Sequence, residues 1–440
     1  MSKAGDGVEP AVVLIGEGDL SDEVANALES AGAAVERLLQ PDEDELGKAL
    51  EGGAVDSVAV VAREDAFVLR MALIVRSVSA EVPLLLTIFD QTMAEQVTDE
   101  VPNTHVTSLA DIVAPSLAGP CIEERATAVR VDGDSAVLVV DEDGELSEEP
   151  VPQLKARRIQ ALARALFTPY DKSAGLLLYG AIGLIAVFLI ETITAVFVLD
   201  NTVVDAIYGS AKTLVTVDPN LDVDNGPGWY KLFISLTMLV ALVFAASFTA
   251  GLVNRVVDRR LTGLVGRRAV PRRDHVVVVG LGEVGMRLCL LLRRCGVPVV
   301  AVENDEENRN IGLARELGLP AVIGRGSDHS LLGRLSLHRA RAVAAVTAND
   351  LENISVAMTA RGIEERVRVV LRVGDGDIAN ETRSLLALGL VRDVHRIAAT
   401  LIASMALGED AEDVVCLGDD AHLRFPDGRL QEVELQTLAE

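Results

Sequence analysis

VVVVGLGEVGMRLCLLLRR, residues 276–294, is the stretch on which the reading of this chain turns. Val276–Val279 is an apolar, β-branched run, the pattern of a buried strand. It leads into Gly280-Leu-Gly282-Glu-Val-Gly285 and then an apolar helix pattern, Met286–Arg294. A second strand pattern, Val297–Val302, ends at Glu303. Gly280 permits the tight turn, Gly282 lets backbone amides approach a pyrophosphate, and Gly285 lets the helix pack close to the strand. The helix N-terminus then faces the phosphates, and Val284 and Glu283 lie in its first turn. Glu303 stands at the end of the second strand, where a carboxylate accepts hydrogen bonds from ribose hydroxyls. A glycine fingerprint alone is a weak signal. Strand, helix and terminal acid together specify a dinucleotide-binding fold of Rossmann type, and occupancy by a nucleotide is the further expectation.

Alternating strand and helix patterns continue through residues 274–407. Within them, GRGSDHSLLGRLSLHRARAVAAVTANDLENISVAMTARGI covers residues 324–363. Here the chain resembles the RCK family, also called the TrkA N-terminal domain, which regulates potassium channels and transporters. Gly326, Ser327 and Asp328 are similar to the turn that family places after its third strand. Asn349, Asp350 and Asn353 are similar to the acidic or amide cluster after its fourth. The resemblance implies an adenine-nucleotide site, for NAD, ADP, ATP or AMP as a regulatory ligand. Gly280, Gly282, Glu283, Val284, Gly285, Glu303, Asn304, Ser327 and Asp328 are its candidate residues. Arg325 replaces a residue that is acidic or small in the family; it either pairs with a phosphate or 2′-phosphate, or is a surface arginine.

Residues 11–120 repeat the rhythm. Ala11–Ile15 precedes Gly16-Glu-Gly18-Asp-Leu-Ser21, a helix pattern at Asp22–Ala31 and a strand at Ala34–Leu38. Ser57–Val61 and Leu84–Ile88 read as further strands, with a helical Phe67–Val78 between them. Past this core, Ala136–Val140 with the turn Asp141-Glu-Asp-Gly144 resembles His422–Phe425 with Pro426-Asp-Gly428, so each half ends in a similar small hairpin. The chain reads as an internal duplication with a membrane segment between the copies. The first copy is degenerate as a nucleotide site: Ser21 replaces the third glycine, and strand two runs into Leu39-Gln40-Pro41 without a terminal carboxylate. Structural or ion-binding use is expected there. The clusters Asp42–Glu45 and Asp141–Glu145 are either cation ligands or solvated loop acids.

Charge is distributed unevenly. The formal net charge is −26, and residues 1–153 hold 32 acidic and 8 basic residues, a net of −24. Such a surface repels nucleic-acid phosphates and anionic lipid head groups, so no nucleic-acid partner is expected. Cys121, Cys289, Cys295 and Cys416 show no Cys-x-x-Cys or zinc spacing and read as buried thiols of a reducing compartment. Residues 1–10 lack the apolar core of a secretory signal.

Two segments are apolar on every face: Ser173–Leu199, whose only charge is Glu191, and Trp229–Val253, whose only charge is Lys231. A helix needs about 20 apolar residues to cross about 30 Å of hydrocarbon, so both qualify as spans. Lys155, Arg157, Arg158, Arg164 and Lys172 precede the first. Arg255, Arg259, Arg260, Arg267, Arg268, Arg272 and Arg273 follow the second, while the intervening loop has five aspartates and one lysine. The positive-inside rule then places both termini in the cytoplasm and the loop outside, in the plasma membrane. Leu154–Phe167 has helical apolar spacing with basic residues between, an interfacial helix or an ordinary linker helix.

The outer loop resembles the pore helix and filter of two-helix potassium channels. Asp205, Ala206, Tyr208, Thr213, Thr216 and Val217 fit that register. Then Asp218, Pro219 and Asn220 replace the Gly-Tyr-Gly that lets successive carbonyls face one axis. Proline fixes φ near about −65°, so a carbonyl ladder beyond Val217 is not expected. Fourfold assembly would bring four Asp218 carboxylates toward the axis, favouring cations without by itself selecting potassium. Glu191 is expected to cap the pore helix or to pair with Lys212.

The expected organisation is α/β Rossmann-like (RCK) domains with doubly wound parallel sheets flanking a two-helix transmembrane pore module. Its borders are 1–120 for a degenerate RCK domain, 121–153 for a β extension, 154–172 for an interfacial helix and 173–199 for the first span. They continue with 200–228 for pore helix and filter-like loop, 229–253 for the second span, 254–273 for a basic linker, 274–407 for a nucleotide-binding RCK domain and 408–440 for a second β extension. The expected function is that of a ligand-gated cation channel subunit, a homotetramer with a cytoplasmic ring that sits in the lipid bilayer and passes a monovalent or divalent cation. The alternative is a non-conducting, membrane-tethered nucleotide sensor. An enzyme is not expected: there is no Ser-Tyr-Lys set, no histidine–carboxylate pair and no substrate domain after the fingerprint.

Overall fold

The computed structural model describes residues 9–51, 55–133, 135–142, 145–151, 172–215, 226–257, 264–265, 273–386, 388–418 and 420–433. The chain divides into two units, one drawn from residues 1–154 and 265–440, the other from 155–264.

The first unit holds both α/β halves. β1 (Ala11–Ile15), β2 (Ala34–Leu38), β3 (Val55–Val60), β4 (Leu84–Thr87) and β5 (Thr104–Thr107) form a parallel sheet in the order β2-β1-β3-β4-β5. β6 (Ala126–Asp132), β7 (Ser135–Glu142) and β8 (Glu145–Pro150) form an antiparallel sheet after it. A two-residue strand, β9 (Leu264–Val265), precedes the second half. There β10 (His275–Val279), β11 (Val299–Glu303), β12 (Ala321–Ile323), β13 (Ala340–Ala345), β14 (Arg368–Val373) and β15 (Leu390–Asp393) run parallel in the order β15-β14-β13-β10-β11-β12. β16 (Asp413–Leu417), β17 (Asp420–Arg424) and β18 (Leu430–Glu432) close it as a second antiparallel sheet. In both parallel sheets the order reverses beside the first strand, the topological switch point at which such folds bind ligands.

The strands form where the apolar runs lie. All five residues of β10 are buried, as a strand covered on both faces requires. The first helices begin earlier than the sequence pattern indicated, at Asp19 and Glu283, because Gly18 and Gly282 are themselves the N-caps. The Leu109–Ile122 helix runs two residues beyond 120, across the border drawn between the Rossmann core and the β extension.

The halves are duplicates down to single hydrogen bonds. Asp65 accepts from the backbone of Phe89 (2.9 Å) and Asp90 (3.0 Å); Asp350 accepts from Gly374 (3.0 Å) and Asp375 (3.1 Å). Ser108 caps the Leu109–Ile122 helix through Asp111 N, and Asp393 caps the Val394–Ala406 helix through Arg396 N. The same offset in residue number relates every one of these partners.

The halves also exchange helices. The Asp19–Ser30 helix of the first packs on the Val394–Ala406 helix of the second, and the Glu283–Arg294 helix of the second packs on the Leu109–Ile122 helix of the first. One apolar core runs through this contact, uniting Val24, Leu28, Leu117 and Cys121 with Leu288, Cys289, Ile397 and Leu401. Each such leucine removed from water is worth about 1.5–3 kcal/mol, so the halves form one structural body. Ser57 Oγ donates to Ala406 O at 2.6 Å, and Arg341 and Arg368 donate to the carbonyls of Ile122 and Pro120. Cys121, Cys289, Cys295 and Cys416 are all buried.

The second unit contains two long helices, Lys172–Leu199 and Gly228–Val257, packed side by side, with a short helix, Val203–Leu214, between them in sequence. Their apolar windows, Leu176–Leu199 and Gly228–Val253, are only 22% and 11% buried. Phe197 and Leu232 are 84% and 75% exposed. A core helix in water hides such side chains; these match a lipid surround. A Cβ on Gly180 would meet Phe248 N at 2.7 Å, and one on Gly251 would meet Leu177 N at 2.6 Å. These glycines let the two backbones approach closely. The readings at 154–171, Thr216–Asn220, 258–263 and 266–272 lie outside the described residues.

Candidate nucleotide site and pore module

The three glycines of the second half have separate physical reasons. Gly280 has φ +98°, and a Cβ there would stand 2.8 Å from Thr347 N. A Cβ on Gly285 would stand 1.9 Å from Gly280 O. Both are demanded by the chain's own packing. Gly282 has an ordinary φ of −67°, and a Cβ there would meet nothing within 4 Å. The fold does not require a glycine at this position, which leaves the space over the turn open. Gly282 caps the Glu283–Arg294 helix with no side-chain hydrogen bond, so the amides of the first turn are presented to the open space.

Glu303 is 9% exposed, and the chain uses its carboxylate heavily. Oε2 accepts from Leu281 N (2.7 Å) and Asn308 Nδ2 (3.1 Å), and Oε1 accepts from Asp305 N (3.0 Å). Asn310 Nδ2 donates to Leu281 O at 2.9 Å, fixing the turn from the other side. Glu303 is therefore first a brace for the glycine turn, and it retains about one of a carboxylate's four lone-pair positions for a ribose hydroxyl. Asn308 and Asn310 were not among the sequence-derived candidates. Asn308 also caps the Arg309–Glu316 helix, and an Asn-x-Asn pair just past a strand-terminal acid is the signal that points to both.

The remaining candidates spread around this turn. Val284 is buried; Asn304 and Arg325 are exposed. Glu283 pairs with Arg309 at 2.9 Å, and burial raises its carboxyl above the usual range against the pull of that arginine. Ser327 O accepts from Thr359 Oγ1 at 3.3 Å. Asp328 caps the His329–Arg334 helix, accepting from Ser330 N (2.7 Å) and Leu331 N, and these bonds hold its carboxyl below the usual range. A Cβ on Gly326 would stand 2.1 Å from Val279 Cγ1, so this glycine lets the β12 loop lie on β10. Asn349 caps the Asp350–Ile363 helix. Asn353, fully buried, joins Thr347 to Arg372 O and so ties the end of β13 to β14.

The first half keeps the turn, with Gly18 open like Gly282, but lacks the brace. Gly16 has φ +141°, and its Cβ would stand 2.0 Å from Val61 O, the same packing demand as at Gly280. β2 ends at Leu38, with no acid to brace the loop. Ser21 is 1% exposed and its Oγ has no hydrogen-bond partner among the described residues. Asp42 accepts from Glu45 N at 2.8 Å at the start of the Glu43–Glu51 helix, a capping role. Asp143 and Gly144 of the other acidic cluster lie outside the described residues. Among the described residues no group of three or more His, Cys, Asp or Glu converges to hold a metal.

In the second unit, Thr202 caps the short helix and exchanges hydrogen bonds with Asp205. Thr213 is buried and donates to Gly209 O at 3.2 Å. Glu191, 2% exposed, accepts from Thr237 Oγ1 of the second long helix at 2.5 Å, while Lys212 lies over the Tyr208 ring at 5.7 Å. The expected Glu191–Lys212 pair is not formed. A hydroxyl one helix away donates to Oε1 of the acid, while its Oε2 has no hydrogen-bond partner among the described residues, and the lysine finds an aromatic face instead.

Residues 276–391 match the TrkA-N domain, so the second half is an RCK domain in sequence as well as in fold. The chain is 25% identical over 248 residues to the voltage-gated potassium channel Kch of Escherichia coli (strain K12), covering 54% of this chain and 58% of that one. It is 20% identical over 205 residues to potassium channel protein 1 of Methanocaldococcus jannaschii, covering 44% and 59%. The chain thus spans under two thirds of the length of these curated relatives. Among solved structures, the GsuK channel aligns with TM-score 0.51 at 13% identity over 91% of this chain and 64% of that one. The GsuK channel bound to NAD aligns with TM-score 0.50 at 13% identity over the same shares. The fold is therefore one that channel proteins use: parallel Rossmann-like RCK domains with two apolar helices between them in sequence.

Proposed function

We propose that this chain is a subunit of a ligand-gated cation channel, a homotetramer in the plasma membrane with both termini and a ring of RCK domains in the cytoplasm. The regulatory ligand is an adenine nucleotide, NAD or one of ADP, ATP and AMP, held at the Gly282 turn. The observation that carries this reading is the open space over Gly282, where a Cβ would meet nothing within 4 Å among the described residues, at the N-terminus of a helix whose turn is braced by Glu303. The NAD-bound GsuK channel and the potassium-channel relatives support it by analogy of fold and sequence. Gating needs only that the nucleotide bind one arrangement of the ring more tightly than another. The role of the domain is then binding, with no chemistry done on the ligand.

At the pore, Asp218-Pro219-Asn220 interrupts the filter pattern after Val217, so the permeation path is one of low potassium selectivity lined by carboxylates. The same break favours a second reading, a membrane-tethered nucleotide sensor that passes no ions. Ion flux into vesicles carrying the purified protein separates them. Cation uptake that changes with added NAD or ADP, and loses that dependence in Gly282→Val, supports gating. Uptake equal to that of empty vesicles under every nucleotide supports the sensor, and uptake indifferent to nucleotide removes the gating claim.

A further inference from the structure

The duplication sets up two equivalent clefts, each where the first helix of one half meets the strand ends of the other, and only one of them is filled. In the filled cleft, Phe89 follows β4 of the first half. Arg287 and Arg309 from the second half stack on its ring at 5.8 and 5.5 Å, and Arg287 Nε meets Asp111 at 2.7 Å. In the other cleft Gly374 stands where Phe89 stands, and Arg372 stands where Thr87 stands. The bonding confirms the equivalence: Thr87 Oγ1 donates to Ala62 O and Arg372 Nη1 to Thr347 O, each at 3.2 Å. The charges are exchanged as well, since Glu23 occupies the place of Arg287 and Arg396 that of Asp111. The result is an open cavity of about 700 Å³.

This cavity is built, not merely left over. Its wall includes Arg372, 8% exposed, whose Nε has no partner among the described residues, and His395, 3% exposed, whose ring lies against the backbone of Gly374. Burial holds both below their ordinary values, and the Arg372 charge further disfavours protonation of His395. Arg63, Arg372 and Arg396 face the same space as Asp19, Glu23 and Asp377, yet among the described residues none of these six forms an ion pair. Opposite charges that share a cavity without meeting are held apart by the frame. A simple anion would satisfy the arginines and be repelled by the carboxylates, and a cation the reverse. A molecule bearing both signs a few ångströms apart satisfies both sets.

We propose that this cleft is a second regulatory site, for a small zwitterion of amino-acid or short-peptide type. Its carboxylate lies against Arg372 and Arg396, and its ammonium lies toward Glu23 and Asp19. The cavity lining does not include the Gly282 turn, although Glu283 of that turn lies within electrostatic reach of Arg372, and the proposal does not require a nucleotide to be bound there. Binding would draw the first helix of one half toward the strand ends of the other, doing in the open cleft what Phe89 and the Arg287–Asp111 pair do permanently in the filled one.

Calorimetric titration of the full-length protein in detergent tests this, with the twenty L-amino acids and glycylglycine as zwitterionic probes, succinate as a dianion and putrescine as a dication. Saturable binding of at least one zwitterion is expected, tighter than either single-sign probe. Arg372→Thr, which installs the residue of the filled cleft, is expected to weaken it about tenfold or more. Glu23→Gln, at a half-exposed rim position, should weaken the zwitterion several-fold and leave succinate no weaker, so the proposal stays testable if Arg372→Thr fails to fold. ADP binding should be unchanged in both variants. No saturable binding by any zwitterion, succinate binding as tightly as the best zwitterion, or displacement of the zwitterion by NAD but not by ADP would each overturn the proposal. The last would assign the cleft to the far half of a dinucleotide.

Discussion

The two halves of the soluble unit share a fold, a glycine turn and a set of caps, yet differ at the positions where a ligand would matter. In the second half the turn is braced by Glu303, closed by Gly285 and open over Gly282. In the first half the brace is missing, Ser21 stands at the third glycine position, and its hydroxyl is buried without a partner among the described residues. The comparison teaches which parts of the motif serve the fold and which serve a ligand. Gly16 and Gly280 persist in both because a Cβ there would strike the backbone of a neighbouring strand end, whether or not anything binds. The acid and the third glycine persist only in the second half, where Glu303 braces the turn.

The largest expected difference between the copies lies at the third glycine position. Gly285→Val would drive a side chain into Gly280 O, so a loss of about 3 kcal/mol or more is expected in chemical denaturation of the C-terminal half. Ser21→Ala, at the matching site, should be neutral or stabilising by about 1 kcal/mol, because it removes an unsatisfied buried hydroxyl. Equal losses at the two sites would break the assignment of roles. Next in size is the exchange helix contact. Arg287→Ala deletes the Asp111 pair and one stacking partner of Phe89, with an expected cost of about 1 kcal/mol. Arg396→Ala, at the position matching Asp111, should cost less, because Arg396 forms no ion pair among the described residues. A thermal-melt comparison of the two single variants checks the order.

The smallest expected effect is on pH. Burial holds His275 and His395 of the second half below the ordinary imidazole value of 6.5. The unfolded chain therefore binds more protons than the folded one as pH falls through 6.5, and stability drops on the acid side. His275 Nε2 lies 2.9 Å from Leu335 O, a contact that glutamine would keep, so His275→Gln should reduce the loss of melting temperature between about pH 7 and pH 5. The position matching His275 is Ala11, so the first half lacks this liability. The raised carboxyls of Glu23, Glu283 and Asp393 act in the opposite sense, since the folded state takes up their protons first as pH falls; a flat pH response in both proteins would show that the histidines contribute little.

Much of this was legible in the chain. Val276–Val279, the three glycines and Glu303 sit where strand, turn and strand end require, because period and turn chemistry are local properties. The duplication and the paired β hairpins were legible for the same reason. What the chain did not reveal is that Glu303 is largely occupied by Leu281, Asp305 and Asn308, that Asp328 and Asn349 are helix caps, or that Glu191 finds Thr237. Those partners are set by three-dimensional proximity and leave no trace in spacing. The open cleft was hidden most deeply, since it depends on Gly374 and Arg372 replacing Phe89 and Thr87, a contrast visible only once the two halves are superposed in register. Thr216, Val217, Asp218, Pro219 and Asn220 remain a reading of sequence alone.

Counting the nucleotides bound by each chain is the most direct test that the second half binds and the first does not. Equilibrium titration of the purified full-length protein with ADP and with NAD should saturate at one molecule per chain for at least one of them, and Gly282→Val, folded as judged by an unchanged melting profile, should bind neither. Two per chain, none at all, or undiminished binding by the folded Gly282→Val protein would contradict it.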